Sequence, residues 1–151
     1  MIKTVHITAE GKKELEEELD FLIKQRPEIS ERISTARDYG DLKENEEYSA
    51  AKAEQARAEN RILEIRDILT TAKLIRAKKS DKVELGTTVV VSANGKESTY
   101  MIVGSLEADP MKGKISDVSP VGQILMGKKA GEEAAFKTPR GEIIYKVVSI
   151  V

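Results

Sequence analysis

Two heptad stripes with a very short break between them constrain this chain more than any other feature. Leu15, Leu19, Leu22, Ile29, Ile33 and Ala36 recur in alternating steps of four and three once Arg26 and Gly40 complete the series. A second stripe runs through Tyr48, Ala51, Gln55, Ala58, Ile62, Ile65, Leu69 and Ala72. Each spacing keeps its residues on one side of a helix, as in a coiled-coil seam. Only Asp38 to Asn45 lies between the stripes, so the two helices must be antiparallel neighbours. Each arm of about 30 residues spans roughly 45 Å at 1.5 Å per residue. Thr8 is placed to cap the first helix, with Glu10 in its first turn. Pro27 is expected to interrupt or kink that helix, because it has no N–H to donate. The seam narrows to Ala36, Ala51 and Ala58 near the reversal, which predicts a slim end.

The grammar changes near residues 76–85. Gly, Pro, Val and Thr become frequent, and β-rich runs appear at Thr87–Val91 and Thr99–Val103. Asn94-Gly95 between them is a strong hairpin-turn signal. Ser119-Pro120 opens a short helix that Gly127 ends. Two further strands are predicted near 133–137 and 142–150, joined by a turn at Thr138-Pro139-Arg140-Gly141. The reading is therefore an α+β chain. Residues 1–76 form an antiparallel α-helical coiled-coil hairpin with its tip at 39–45. Residues 77–84 form a linker, and 85–151 form an antiparallel β-sheet domain with one short helix.

Composition excludes several functions. The 151 residues include no Cys and a single His, His6, so disulfides, thiol catalysis, Cys-ligated zinc and multi-His metal sites are out. The net charge of -1 provides no global field for nucleic acid. No apolar run reaches membrane-spanning length and no signal-peptide core is present, which makes a soluble cytoplasmic protein the expectation. No nucleophile–base pair is visible.

A long slim hairpin is a poor way to build a core and a good way to reach, so its tip is the place to look for function. Asp38, Asp41, Glu44, Glu46 and Glu47 crowd there against Lys43. Mutual repulsion among carboxylates is relieved by a cation. Asp41 and Glu44, three apart, can face one side, but two carboxylates hold Mg²⁺ weakly without further ligands. They read either as half of a metal site completed by a partner or as ordinary helix-capping acids, Asp41 at the cap and Glu44 near the dipole. Arg37, Lys52 and Arg57 sit on the arms near the tip and offer phosphate contacts or merely a solvated charged face. Tyr48 falls on the seam.

The segment Ala36-Arg37-Asp38-Tyr39-Gly40-Asp41-Leu42-Lys43-Glu44-Asn45-Glu46-Glu47-Tyr48 closely resembles the tip signature of the bacterial transcript cleavage factors of the GreA/GreB family. Two more motifs agree, Ile102–Pro110 followed by Gly113–Ser116, and Ser119–Gly122 through Leu125–Gly131 with Lys137–Pro139. The resemblance covers nearly the whole chain, and is closer to the GreA branch. It implies an FKBP-like second domain that docks at the rim of the RNA polymerase secondary channel, while the coiled coil inserts into the channel. There the tip would stimulate the polymerase's own cleavage of a backtracked RNA 3′ end. On that resemblance Asp41 and Glu44 would share a Mg²⁺ with the polymerase and orient the attacking water. The free protein would bind no cofactor, act as a monomer and have no activity of its own. Lys52 stands at a family RNA-contact position, with Arg37 and Arg57 as further candidates, and Gly40, Asn45 and Tyr48 would shape the tip. Gln123 and Arg140 depart from the pattern in the second domain only. The alternatives are an inhibitory channel binder of the same family, a prolyl isomerase built around Phe136, Tyr100 and Tyr145, and a plain coiled-coil adaptor.

Overall fold

The computed structural model describes residues 4–151. These divide into two compact units, one of Lys12–Thr71 and one joining the segment that ends at Gly11 to Ala72–Val151.

The first unit is the helical hairpin. Helix α1 spans Ala9–Arg37 and helix α2 spans Glu46–Thr71. Ile29, Ile33, Ala51 and Ala58 form its buried cluster, with Leu22 and Tyr48 packed against them. Ile62 and Ile65 are fully buried. Two features differ from the heptad expectation. Ile68, not Leu69, is the buried residue in the last part of α2. The last steps, Ile62 to Ile65 to Ile68, are both of three residues, so the buried line turns away from the heptad stripe at this end of α2. Ala72 lies beyond the end of α2.

Helix α1 also runs through Pro27 without interruption. Pro27 sits on the exposed side of the helix, where water can take the place of the N–H it lacks. On either side the helix is held to α2. Arg26 makes a bidentate pair with Glu59, at 2.8 Å for both bonds, and Ile29 is buried in the cluster. Further pairs cross the seam at Glu18–Arg61 (2.7 Å) and Arg32–Glu54 (2.7 Å).

The second unit begins earlier in the chain than its composition suggests. Strand β1, His6–Thr8, pairs in parallel with strand β2, Lys73–Ile75, with Ile7 opposite Leu74. The hairpin is the crossover that parallel pairing requires. Thr8 caps α1 as expected, its Oγ1 accepting from the Gly11 N–H at 3.0 Å. The Glu107 carboxylate in turn accepts from the Thr8 N–H (2.7 Å) and hydroxyl.

The main sheet has the order β5-β4-β3-β7-β6. Its strands are β3 Thr88–Ala93, β4 Lys96–Val103, β5 Lys114–Ser116, β6 Glu133–Thr138 and β7 Gly141–Ile150. The β3–β4 turn is Asn94-Gly95, both at positive φ, as the mirror-image hairpin turns demand. The sheet is mixed, where an antiparallel one was expected. Strand β5 runs parallel to β4, with Ile102 opposite Ile115. The connection Gly104–Gly113, with two 3-10 turns, carries the chain back for that pairing.

Helix α3, Pro120–Leu125, is capped by Ser119, whose Oγ accepts from the Gly122 N–H at 3.1 Å. Val83, Val89, Val91, Ile102, Leu125 and Val147 form the core, each at most 1 % exposed. Val83 belongs to the stretch expected to be linker. Its backbone pairs with Lys128 O and Gly127 N, both at 2.8 Å, so the sheet domain takes in the end of 77–84. A lone apolar residue among charges carries no periodic signal, which is why the sequence pattern does not reveal it.

Candidate functional site

The tip is the break between α1 and α2, and its geometry follows from a few hydrogen bonds. Helix α1 ends in a tight turn, with the Asp38 N–H on Thr35 O and the Tyr39 N–H on Ala36 O, both at 3.2 Å. Gly40 then reverses the chain at φ +126°, a region open to glycine and strained for other residues. Asp41 folds the next turn on itself, Oδ1 accepting from the Lys43 N–H at 3.0 Å.

The cap of α2 is Asn45. Its Oδ1 accepts from the Tyr48 N–H at 3.0 Å, the bond expected of an N-cap to the third helical residue. Its Nδ2 donates to Ala36 O at 2.6 Å, so one side chain ties the start of α2 to the end of α1. Glu46 and Glu47 occupy the first turn of α2, where the helix dipole favours acids. This removes one reading of Asp41. It does not cap α2, and Glu44 precedes the cap.

Asp41 and Glu44 are both exposed and line one open recess, together with Tyr39, Asn45, Glu46 and Glu47. Tyr39 is 73 % exposed and Leu42 41 %. Tyr48 is half-buried and packs on the seam cluster. Among the described residues no group of three or more His, Cys, Asp or Glu is arranged to hold a metal ion. The tip therefore offers two exposed carboxylates on a fixed loop and no enclosing ligand set. That donor set fits a hard cation whose remaining ligands come from elsewhere.

The basic candidates are exposed and separate. Arg37 closes the last turn of α1. Lys52 reaches Gln55 at 3.3 Å, and Arg57 lies close enough to Glu54 to favour its ionised form. None of the three lines the recess that holds Asp41 and Glu44. A longer groove shares Tyr39 and Glu47 with that recess and continues between the helices past Ala36, Ala51 and Glu28. Heptad spacing locates the seam but not this groove, because the groove depends on which side chains flank the seam.

In the sheet unit, Phe136 and Tyr145 meet edge to face with centroids 6.4 Å apart. Tyr100 and Tyr145 pack against the core, which commits both rings to structure. No described helix is long and apolar enough to cross a membrane.

A family model described as "Transcription elongation factor, N-terminal" matches residues 5–74, and one described as "Transcription elongation factor, GreA/GreB, C-term" matches 78–151. The chain belongs to the GreA/GreB family of transcription elongation factors. Its GreA/GreB relatives include the transcription elongation factor GreA of Bacillus licheniformis, 47% identical over 98% of this chain and 97% of that protein. The GreA of Caldanaerobacter subterraneus is 48% identical over 99% of each. Among solved structures, GreA factor homolog 1 of Thermus thermophilus is 28% identical over 99% of each chain, with a TM-score of 0.45. The division between the two GreA/GreB models falls at residues 75–77, at the end of β2.

Proposed function

We propose that this GreA/GreB-family chain binds RNA polymerase, passes its hairpin tip into the secondary channel, and stimulates the polymerase's own endonucleolytic cleavage of backtracked RNA. The sheet domain would dock at the channel rim. Cleavage leaves a new RNA 3′ end from which synthesis resumes. The observation that carries this reading is the tip itself: Asp41 and Glu44 stand exposed in one recess, on a loop whose backbone is fixed by Asn45.

In this role Asp41 and Glu44 supply two carboxylate ligands to a Mg²⁺ that the polymerase shares. When bound there, the ion offers charge for polarising a water beside the scissile phosphate. Asp41 is already oriented by its turn, with Oδ1 on the Lys43 N–H and Oδ2 free. Among the described residues Glu44 makes no side-chain hydrogen bond, and it is free to turn toward the ion. Lys52, with Arg37 and Arg57, lies outside the acidic recess and is assigned to the RNA phosphates. This separation keeps the polyanion from the carboxylates. The protein performs no reaction alone, because it contributes only part of a site.

The test uses a stalled, backtracked elongation complex with end-labelled RNA and Mg²⁺. The native chain should shorten the RNA rapidly. The Asp41→Ala, Glu44→Ala double variant should bind polymerase and leave the RNA intact, a loss of several orders of magnitude in rate. Binding without cleavage by the native chain would sink the reading and point to an inhibitory channel binder.

A further inference from the structure

We infer that Asn45 is a positioning residue for the tip carboxylates, acting through its amide donor and separately from its role as helix cap. The inference rests on the cleavage-factor reading above. Asp41 and Glu44 both lie in the loop that Ala36 and Asn45 close. Among the described residues the other hydrogen bonds of that loop stay on one side of it. Asp38 and Tyr39 bond back into α1, Lys43 bonds to Asp41, and Tyr48 and Ser49 bond to Asn45. The Asn45 Nδ2–Ala36 O bond, at 2.6 Å, is the one that joins the two ends.

Packing near the loop is limited. Ala36 closes the seam on α1 with a methyl group, and on α2 Tyr48 packs on the cluster below the loop while staying half-buried. The nearest cross-hairpin ion pair, Arg32–Glu54, lies further down the arms. Gly40 meets nothing within 4 Å of where a side chain would start, so no contact braces the loop at that residue. The carbonyl of Ala36 also accepts from Tyr39, so the amide of Asn45 fixes the loop base against the last turn of α1.

The two halves of the Asn45 amide can be separated chemically. Serine and aspartate both cap helices, yet neither offers an N–H donor at the Asn45 Nδ2 position. Asn45→Ser replaces the amide donor by a shorter hydroxyl without adding charge, and Asn45→Asp removes the donor with the shape kept. Both variants should retain native helicity by circular dichroism and melt within a few degrees of the native chain. Each should compete with the native protein for polymerase at unchanged concentration. The saturating cleavage rate should fall on the order of ten- to a hundredfold, the scale on which an ångström of misplacement acts. The factor concentration giving half-maximal effect should stay put.

Native saturating rates in both variants would overturn the assignment while leaving the cleavage reading intact. Loss of helicity in both would overturn it too, by showing that the bond supports the whole hairpin. No cleavage with the native chain would remove the reading and this assignment together.

Discussion

Gly40 and Gly104 lack a side chain for different reasons. Gly40 needs its positive φ, but open space surrounds it. Gly104 has ordinary extended angles, φ -72° and ψ 162°, and a methyl there would overlap the carbonyl oxygen of His6. Gly40→Ala should therefore cost about 1 kcal/mol of backbone strain and be felt mainly in tip function. Gly104→Ala should cost about 1–3 kcal/mol by overpacking, lowering the thermal midpoint of the sheet unit by several degrees in calorimetry. An unshifted midpoint for Gly104→Ala would mean that β1 gives way freely. At this scale the sequence was informative about chemistry and silent about bonds. Asp41 and Glu44 stood out as a crowded acidic pair, whereas the second bond of Asn45 depends on where Ala36 O lies after the reversal. Thr8 was legible as a cap, but its clasp by Glu107 joins residues 99 positions apart and leaves no local trace.

At the scale of elements, the helices are almost completely legible, because a heptad stripe is both a local pattern and a statement about packing. What it omitted were the pairs that flank the seam, Glu18–Arg61, Arg26–Glu59 and Arg32–Glu54. Hydrogen bonds from the facing arginines are the main cause that lowers the pKa of Glu18, Glu54 and Glu59 below the ordinary 4.5. A carboxylate whose folded pKa is depressed stabilises the fold above its unfolded pKa and loses that contribution as pH falls through the folded value. The hairpin should hold its stability from neutral pH down to about pH 4.5 and lose part of it below. Urea melts followed at the helical signal at pH 7 and pH 3 would show this. Glu18→Gln should shrink the difference, and an unchanged difference would count against the Arg61 pair. These pairs are solvent-accessible, so salt should weaken them too. The short strands are not legible in the sequence, for the opposite reason. β1, β2 and β5 are three residues each, below the length at which alternation can be recognised, and the β4–β5 pair is parallel because of a loop path that no local pattern encodes.

For the whole molecule, the sequence gives a clear change of style near residue 76, yet the compact units are not two consecutive segments. The sheet unit contains β1 from the start of the chain, with Ile7 and Ile75 both buried. A fragment of residues 72–151 would lack β1, leaving β2 without its partner strand and Gly104 without His6 against it. It should fold, since its own core of Val89, Val91, Ile102, Leu125 and Val147 is intact. It should melt at a lower temperature than the corresponding transition of the full chain. Equal midpoints would show that the parallel pair adds nothing to the stability of the unit.

That pair has a consequence for how such a molecule can change. Since the chain leaves β1 and returns to β2, the stretch Lys12–Thr71 is a cassette spliced into one crossover of a smaller protein. Its length is a free variable. Heptads added in matched pairs, one to each arm, would extend the reach by roughly 10 Å per pair while the strand register at its base and the loop at its end stay as they are. Removing or adding a heptad on one arm alone has no such freedom, because it would shift every ion pair beyond it against the wrong partner.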